Sequence, residues 1–154
     1  MSPAIKTFEV LEEAETDQLA TQISQLLRTG DTILLEGDIG AGKTAFCRAL
    51  IKAQCGPATD VPSPTFTIVQ TYDADDFEIW HCDLYRLGGP DDILELGLDA
   101  AFEDAVVLVE WPDRLGDLKP SDALELSISL VGDYRRFSFS GSAKWAKRLG
   151  DLNV

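Results

Sequence analysis

The sequence predicts an α/β fold with a mixed, mainly parallel central sheet, and three features of the chain support that prediction. An apolar strand over residues 31–36 leads through a glycine-rich turn into a helix that runs to about Cys55. Residues 106–110 form a continuous apolar strand, as expected at the centre of a parallel sheet. Two β-rich segments, residues 65–72 and 77–84, flank an acidic turn, and such a hairpin makes the sheet mixed.

The remaining elements follow from periodicity and end signals. Residues 6–11 alternate enough for a short strand. We expect a helix over residues 16–28, followed by Gly30, because four apolar side chains recur there at helical spacing: Leu19, Ile23, Leu26 and Leu27. Four further elements complete the chain: a short helix over 91–97, strands over 124–130 and 136–140, and a basic C-terminal helix that contains Trp145.

The length and charge of the chain limit what it can be. It has 154 residues, a common size for one domain, and it contains no internal repeat or low-complexity linker. We therefore expect residues 1–154 to form a single domain. The net charge of -14 excludes a broad basic surface, so tight independent binding to nucleic acid is not expected. The acidic surface is compatible with docking on a basic partner protein, or with solubility alone.

The three cysteines indicate a reducing compartment. Cys47, Cys55 and Cys82 are an odd number and lack metal-ligand spacing, so we expect reduced thiols in a cytoplasmic protein. Cys47 and Cys82 fall in apolar elements and are interpreted as packing residues. The N-terminus lacks the pattern of a signal peptide, and the longest apolar run, residues 105–109, is too short to cross a bilayer.

The stretch GDIGAGKT is the strongest functional signal. Gly37, Gly42, Lys43 and Thr44 satisfy the pattern G-x-x-x-x-G-K-[ST] of a phosphate-binding loop. Glycines let the backbone wrap closely around phosphates, and the helix that follows directs its positive end toward them. We expect Lys43 to reach the β- and γ-phosphates and the Thr44 hydroxyl to bind Mg²⁺. The motif predicts a three-layer fold of the P-loop NTPase-like class. It also predicts that the single domain is a P-loop ATPase domain.

Two carboxylates are candidates to accompany this loop. Glu110 ends the apolar strand, where a parallel strand delivers a side chain to the ligand edge of the sheet. It suits a base that positions water, although a plain strand-end residue is the alternative. Asp83, in the stretch HCDLYR, follows another strand and can reach the metal. His81 faces the same side as Asp83 but a lone histidine is more often structural, and Arg86 suits either a γ-phosphate contact or an ion pair.

A third candidate is the stretch PSPTF, residues 62–66. Its two prolines fix the backbone around Ser63 and Thr65, in the place where nucleotide-dependent switches occur. A proline-rich turn without function is the alternative. The chain has no N-K-x-D stretch for guanine, and D-x-x-G at residues 113–116 lies beyond the strand end and is interpreted as chance, so ATP is favoured over GTP.

Together these stretches resemble the TsaE family, formerly YjeE, small bacterial ATPases required for threonylcarbamoyl modification of adenosine 37 in tRNA. The matching stretches are GDIGAGKT, SPTFTIV with Tyr72, HCDLYRL and VEWP, in the family's order and at similar spacing. Arg135 and Arg136 before a late strand also match. The resemblance covers about residues 12–141, and the combination of motifs is far more specific than the loop alone.

The resemblance implies a set of site residues. ATP would bind at the loop and beside one aromatic ring, with contacts from Gly37, Asp38, Gly40, Ala41, Gly42, Lys43, Thr44 and Trp111. Mg²⁺ would be arranged by Thr44, Asp83 and Glu110, directly or through water. Thr65 would belong to a loop that senses the γ-phosphate, and catalysis would depend on Lys43, Asp83, Glu110 and Thr65. Ala45 departs from the family, which often has a second hydroxyl there, so an α-phosphate contact is missing.

The resemblance also implies a seven-stranded mixed sheet and a mode of action. Family members hydrolyse ATP slowly alone and act with the TsaD–TsaB heterodimer, which transfers the threonylcarbamoyl group. The acidic chain would then reach tRNA only through that complex, without a membrane.

Two other functions fit parts of the pattern. A P-loop small-molecule kinase would transfer the γ-phosphoryl group to an acceptor, but such enzymes usually close an arginine-rich lid, and this chain has few arginines. A nucleotide-dependent interaction module would use ATP only to order residues 63–72. Replacement of Glu110 by Gln separates hydrolysis from mere binding.

Overall fold

A computed structural model of the chain describes residues 4–38, 40–150 and 152. Ile39, in the glycine-rich turn, lies outside the described residues. The strands are β1 (Ala4–Val10), β2 (Thr32–Glu36), β3 (Val69–Asp73), β4 (Glu78–Asp83), β5 (Val106–Glu110), β6 (Leu124–Val131) and β7 (Tyr134–Ser140). The α-helices are α1 (Glu13–Ser24), α2 (Lys43–Cys55), α3 (Pro90–Glu95), α4 (Leu98–Asp104) and α5 (Ala143–Leu149), and Pro112–Leu118 forms a 3₁₀ helix.

The strands form one seven-stranded sheet in the order β1-β7-β6-β2-β5-β4-β3. The four central strands, β6, β2, β5 and β4, pair in parallel. Antiparallel pairs complete both edges, with β7 and β1 on one side and β3 on the other. The expected hairpin across the acidic turn is the β3–β4 pair, and the sheet is mixed with a parallel centre, as predicted.

Helices cover both faces of the sheet, which gives three layers. Along β2, Ile33 and Leu35 join the core formed with α1 and α2, whereas Leu34 joins the core formed with α3 and α4. This alternation is the period of two that a strand imposes on its side chains. A central strand must therefore be apolar on both faces, which explains the continuous apolar runs of β2 and β5. The three-layer α/β class is confirmed.

The register of the parallel strands positions the functional edge. Leu35 lies opposite Glu110 in the β2–β5 pair, and Asp83 lies opposite Glu110 in the β4–β5 pair. Because parallel strands end at the same edge, both carboxylates lie beside the glycine-rich turn that follows β2. The sequence prediction that strand ends deliver these two side chains to one edge is confirmed.

Aromatic packing fixes α2 on the sheet. Phe46 is fully buried, and its ring centroid lies 6.1 Å from that of Phe137 and 6.5 Å from that of Phe139, both on β7. Full burial of such a side chain stabilises the fold by roughly 1.5–3 kcal/mol. Because Phe46 follows the loop motif by two residues, this contact also fixes the position of the N-terminus of α2.

The expected helix over residues 16–28 was wrong at both ends. Helix α1 begins earlier, where Glu15 Oε1 accepts a hydrogen bond from the Glu12 backbone N–H at 3.1 Å. It ends before the apolar pair at its C-terminal side, because the chain tightens: the N–H of Leu26 donates to the carbonyl oxygen of Ile23 at 3.0 Å. Leu27 is nevertheless buried, so the apolar pattern identified core residues beyond the helix itself.

The expected strand over residues 65–72 starts four residues late, at Val69. The Ile68 N–H donates to the Pro64 carbonyl oxygen at 2.7 Å, and Ile68 has a left-handed backbone with φ of 71°. A turn of this kind is incompatible with a strand. The sequence also missed α4, which follows the short helix α3 after Gly97, and the 3₁₀ helix after β5.

The structure also bears on the expectations about the cysteines and about membrane spans. Cys47 and Cys82 are buried packing residues, as predicted, and all three cysteines are free thiols. Among the described residues, no helix combines the length and apolar character that a membrane span requires.

Candidate functional site

The glycine-rich loop joins β2 to α2 in a conformation that depends on glycine. Gly42, the residue before α2, has φ of 114°, which L side chains rarely adopt. At Gly37 a Cβ atom would lie 2.5 Å from the carbonyl oxygen of Ile128, so a side chain there would clash with backbone. Glycine at these two positions therefore lets the chain turn directly from β2 into α2. The first turn of a helix attracts anions through its free N–H groups and its dipole.

Lys43 is the first residue of α2, and only 5% of it is exposed. Its Nζ donates to the Gly37 carbonyl oxygen at 2.6 Å and lies 3.5 Å from the centroid of the Trp111 ring. Burial lowers the pKa of Lys43, and the nearby carboxylates of Glu110 and Asp83 partly oppose that effect. The ammonium group thus lies within the loop, where a polyanionic ligand would replace lost hydration.

Glu110 is held by two partners. The Thr44 hydroxyl lies 3.0 Å from Oε1 and 3.1 Å from Oε2 of Glu110, and His81 Nε2 lies 2.7 Å from Oε2. Only 2% of Glu110 is exposed. The hydrogen bond from the Thr44 hydroxyl to Glu110 therefore connects the end of β5 directly to α2.

Asp83 is held from two other segments. The Tyr85 backbone N–H donates to Oδ1 at 3.0 Å, and the Thr65 hydroxyl lies 3.4 Å from Oδ2. Thr65 is also 2.7 Å from the Ser63 hydroxyl oxygen. The loop over residues 62–68 therefore reaches the carboxylate at the end of β4, which connects the proline-rich stretch to the site.

Trp111 has a strained backbone. It adopts the left-handed region, with φ of 59° and ψ of 57°, immediately before Pro112. Such a conformation costs a non-glycine residue about 1–3 kcal/mol, and these outliers cluster at functional sites. The turn brings the indole over Lys43 and to a ring-centroid distance of 4.9 Å from Tyr85. The aromatic pair covers one side of the loop.

These side chains surround a cavity of about 540 Å³. Among the residues singled out from the sequence, the cavity is lined by Gly40, Gly42, Lys43, Thr44, Ala45, Thr65, Asp83, Arg86, Glu110 and Trp111. Gly37 and Asp38 lie at the base of the loop, and Ala41 is buried in the core, with its N–H donating to the Asp38 carbonyl oxygen. Arg86 lies over the exposed Phe66 ring, 4.4 Å from its centroid, rather than in an ion pair with Asp83.

Sequence reasoning assigned no role to part of the cavity wall. The additional lining residues are Glu13, Thr16, Tyr85, Arg135 and Phe137. Tyr85 lies inside a motif that the sequence singled out, and Arg135 had been noted only as part of a pattern. The others come from α1 and β7, and no local motif marks them, because only the packing of α1 and β7 against α2 brings them to the cavity.

The donor groups in the cavity suit a hard cation. Hydroxyl and carboxylate oxygens from Thr44, Asp83 and Glu110 are the ligand types that Mg²⁺ prefers. Cys47, His81 and Glu110 also place three possible ligand atoms within 4.8 Å of one another. We interpret the closest two of these groups as a hydrogen-bonded pair, because Nε2 and Oε2 are separated by 2.7 Å.

The fold and this site define the class of the protein: it is a three-layer α/β protein with a P-loop NTPase-like fold. The crystal structure of YdiB from Bacillus subtilis has the same fold. It superimposes with a TM-score of 0.80 at 28% sequence identity, and the match covers 98% of this chain and 94% of that one.

A model of the family described as threonylcarbamoyl adenosine biosynthesis protein TsaE matches residues 10–137, and the chain belongs to this TsaE family. Similar proteins are named tRNA threonylcarbamoyladenosine biosynthesis protein TsaE. The protein from Rickettsia bellii is 43% identical over 124 residues, which are 80% of this chain and 86% of that protein. The Bacillus subtilis protein is 37% identical over 79% of this chain and 76% of its own length. The Aquifex aeolicus protein is 38% identical over 83% and 91%, respectively.

Proposed function

We propose that the chain is a Mg²⁺-dependent ATPase that acts in the threonylcarbamoylation of adenosine 37 in tRNA. The observation that carries the proposal is the convergence of Lys43, Thr44, Asp83 and Glu110 in one cavity at the N-terminus of α2. Membership of the TsaE family, whose curated members are named for threonylcarbamoyladenosine biosynthesis, supplies the biological process.

The cavity is suited to the phosphates of a nucleotide. Its volume of about 540 Å³ falls in the range of small-molecule sites. Lys43 leaves the Gly37 carbonyl oxygen and contacts the β- and γ-phosphates, while the first turn of α2 donates backbone N–H groups to them. The phosphate contact would replace hydration that burial has removed from the lysine, and it would exchange the Gly37 carbonyl oxygen for a charged partner.

Thr44, Asp83 and Glu110 would hold Mg²⁺, directly or through water. The Thr44 hydroxyl donates its proton toward Glu110 and thereby keeps its lone pairs available for a cation. When bound, Mg²⁺ supplies charge neutralisation for the phosphate oxygens. The two carboxylates lie opposite each other in the β4–β5 register, so one cation site can draw on both strands.

The hydrolytic step needs an oriented water molecule. Glu110 lies at the end of β5 beside the loop and is the base that orients this water for attack on the γ-phosphorus. A bond forms between the water oxygen and the γ-phosphorus, and the bond from that phosphorus to the β–γ bridging oxygen breaks. The proton of the water passes through Glu110 to the phosphate product, and ADP leaves. Thr65, bonded to Asp83, links the presence of the γ-phosphate to the loop over residues 62–68.

The partners follow from family and charge. We propose that the chain acts with the TsaD–TsaB complex, which transfers the threonylcarbamoyl group, and that it reaches tRNA only through that complex, because its net charge is -14. The free thiols fit a reducing compartment, so the reaction is assigned to the cytoplasm.

The test is ATP hydrolysis with and without Mg²⁺, and with and without purified TsaD–TsaB. We expect a slow rate that the partners increase and that Lys43→Ala abolishes. Glu110→Gln should lower the rate by about 100-fold or more while ATP still binds. A rate unchanged by both substitutions contradicts the proposal. Phosphoryl transfer that occurs only with an added small acceptor identifies a kinase instead.

A further inference from the structure

One buried polar residue beside the site has no role in the proposed function. His81 is the only histidine of the chain, and none of it is exposed. Its Nε2 atom lies 2.7 Å from Oε2 of Glu110. His81 belongs to β4 and is not among the residues that line the cavity, so it contacts Glu110 from the interior of the protein.

The chemistry of this pair determines which ring atom carries the proton. An ionised carboxylate only accepts hydrogen bonds, so Nε2 donates to Glu110 Oε2. His81 Nδ1 is buried without a hydrogen-bond partner. A buried N–H without a partner is rarer in proteins than an unpaired acceptor, so the geometry favours the tautomer whose N–H is at Nε2.

The surroundings of the ring are buried and packed. Cys47 Sγ on α2, a ring nitrogen of His81 and a carboxylate oxygen of Glu110 lie within 4.8 Å of one another, and all three residues are buried. Burial raises the pKa of the Cys47 thiol well above its usual range, so the thiol stays protonated and packs as a small apolar group. Close packing of this kind limits the rotamers available to the ring.

We propose that His81 is a positioning residue for Glu110. Its Nε2–H holds Oε2, so the carboxylate keeps the orientation in which it contacts the Thr44 hydroxyl and faces the cavity. The terminal torsion of a glutamate is broad, and without this donor the carboxylate would sample other orientations. The inference rests on the proposed function, because a base that orients water must itself be held in place.

The kinetic test uses two substitutions at one position. His81→Leu removes the donor and keeps an apolar side chain, whereas His81→Gln offers an amide N–H in place of Nε2–H. We expect His81→Leu to lower kcat by about 10- to 100-fold, the usual loss when such a supporting partner is removed. The KM for ATP should change by less than about twofold, because the proposed phosphate contacts of Lys43 and of the first turn of α2 involve neither His81 nor its hydrogen bond to Glu110. His81→Gln should recover most of kcat.

Three kinetic outcomes overturn the inference. They are a kcat for His81→Leu within about twofold of the wild type, a rise in KM that accounts for the whole loss, or equal kcat values for His81→Leu and His81→Gln. Thermal unfolding of both variants identifies a purely structural effect, in which activity is lost in proportion to folded protein. If His81→Leu does not fold, the Gln variant and the spectroscopic test below decide the question.

A spectroscopic measurement tests the pair independently of hydrolysis. Because the chain has a single histidine, the imidazole ¹⁵N and ¹H signals of the tag-free protein need no assignment. We expect one protonated nitrogen, Nε2, with a slowly exchanging proton whose shift changes in Glu110→Gln. Protonation at Nδ1, or rapid exchange with solvent, overturns the inference. If the wild type shows no Lys43-dependent hydrolysis, the proposed function fails, and the imidazole spectrum still decides whether His81 holds Glu110.

Discussion

Lys43, Asp83 and Glu110 concentrate charge in a small buried volume, and each is at most 6% exposed. Burying a charge is costly unless hydrogen bonds or opposite charges compensate it. Glu110 and Asp83 each have two hydrogen-bond donors, and Lys43 has the Gly37 carbonyl oxygen and the field of both carboxylates. Buried charges of this kind run against the usual preference for an apolar interior, and such exceptions are expected at functional sites.

The buried ammonium of Lys43 predicts a particular pH dependence of stability. In the folded protein, burial lowers the pKa of Lys43 below its ordinary value of 10.5. At a pH between the lowered pKa and 10.5, Lys43 is therefore protonated in the unfolded chain but deprotonated in the folded protein. Stability then rises with pH across that window. We expect the free energy of unfolding of the wild type to increase relative to that of Lys43→Met between about pH 7.5 and about pH 10.

Denaturant unfolding of both proteins at the two pH values measures this difference. Lys52→Met, at the other end of α2, is the matched control for loss of a lysine from the same helix. If the wild type loses stability relative to Lys43→Met as the pH rises, the pKa of Lys43 is not lowered by burial.

At the scale of elements, the loop over residues 62–68 reaches the site from outside the strands. Phe66 is 78% exposed. The loop contacts Asp83 twice: the Thr65 hydroxyl lies 3.4 Å from its Oδ2, and the Ile68 carbonyl oxygen accepts from its N–H at 2.8 Å. Its turn, closed by the Ile68 N–H on the Pro64 carbonyl oxygen, holds the segment out of the β3 strand. Such a loop can change its contacts without unfolding the sheet.

We expect Thr65→Val to lower kcat for ATP by about tenfold, because the isosteric change removes only the hydroxyl that contacts Asp83. The free energy of unfolding should change by less than about 1 kcal/mol. Thr67→Val is the matched control, since Thr67 is exposed in the same loop and its hydroxyl accepts from the Gln70 amide, away from Asp83. Equal activity of the two variants would remove Thr65 from the site.

The C-terminal helix α5 is attached through buried charge as well as through Trp145. Asp31 is 3% exposed, and its carboxylate accepts from Arg148 at 2.6 Å, from the Arg28 N–H at 2.7 Å and from Lys144 at 3.4 Å. We expect Asp31→Ala to destabilise the protein by about 3–5 kcal/mol, because it leaves the Arg148 guanidinium largely buried and unpaired.

Thermal or denaturant unfolding measures that loss. Asp122→Asn is the control, because this carboxylate contacts the same helix through Lys144 but its side chain is 55% exposed. Hydrogen bonds from Lys144 and Ser142 lower the pKa of Asp122, yet an exposed pair should contribute less than about 1 kcal/mol. If both variants lose a similar free energy of unfolding, burial does not make the Asp31–Arg148 pair more stabilising than the Asp122–Lys144 pair.

For the whole molecule, net charge sets the expected relation to tRNA. With a charge of -14, the chain repels the phosphate backbone. We expect no binding of tRNA by the isolated protein at concentrations up to about 100 µM near physiological salt, where nonspecific nucleic-acid binders already associate. Fluorescence anisotropy of labelled tRNA, with TsaD–TsaB as the positive control, measures this. Salt-dependent binding at low micromolar protein would contradict the proposal that this chain reaches tRNA only through its partners.

Features that depend on residues close together in the chain could be predicted from the amino-acid sequence. The loop motif needs glycines, a lysine and a hydroxyl at fixed spacing, and β2 and β5 are recognisable because burial on both faces leaves no polar alternation. The parallel strand ends then located Asp83 and Glu110, since all parallel strands deliver their last residues to one edge. The expectations of a single domain and of the individual site roles stay predictions.

Contacts between residues far apart in the chain could not be predicted in this way. The contact between His81 and Glu110, the cavity wall from α1 and β7, and the left-handed turn at Trp111 depend on packing between segments far apart in the chain. The same holds for the ends of α1 and for the start of β3, where hydrogen bonds in turns override local periodicity. Periodicity and propensity report how each segment is buried, whereas the identity of its neighbours is fixed by the sheet order and register.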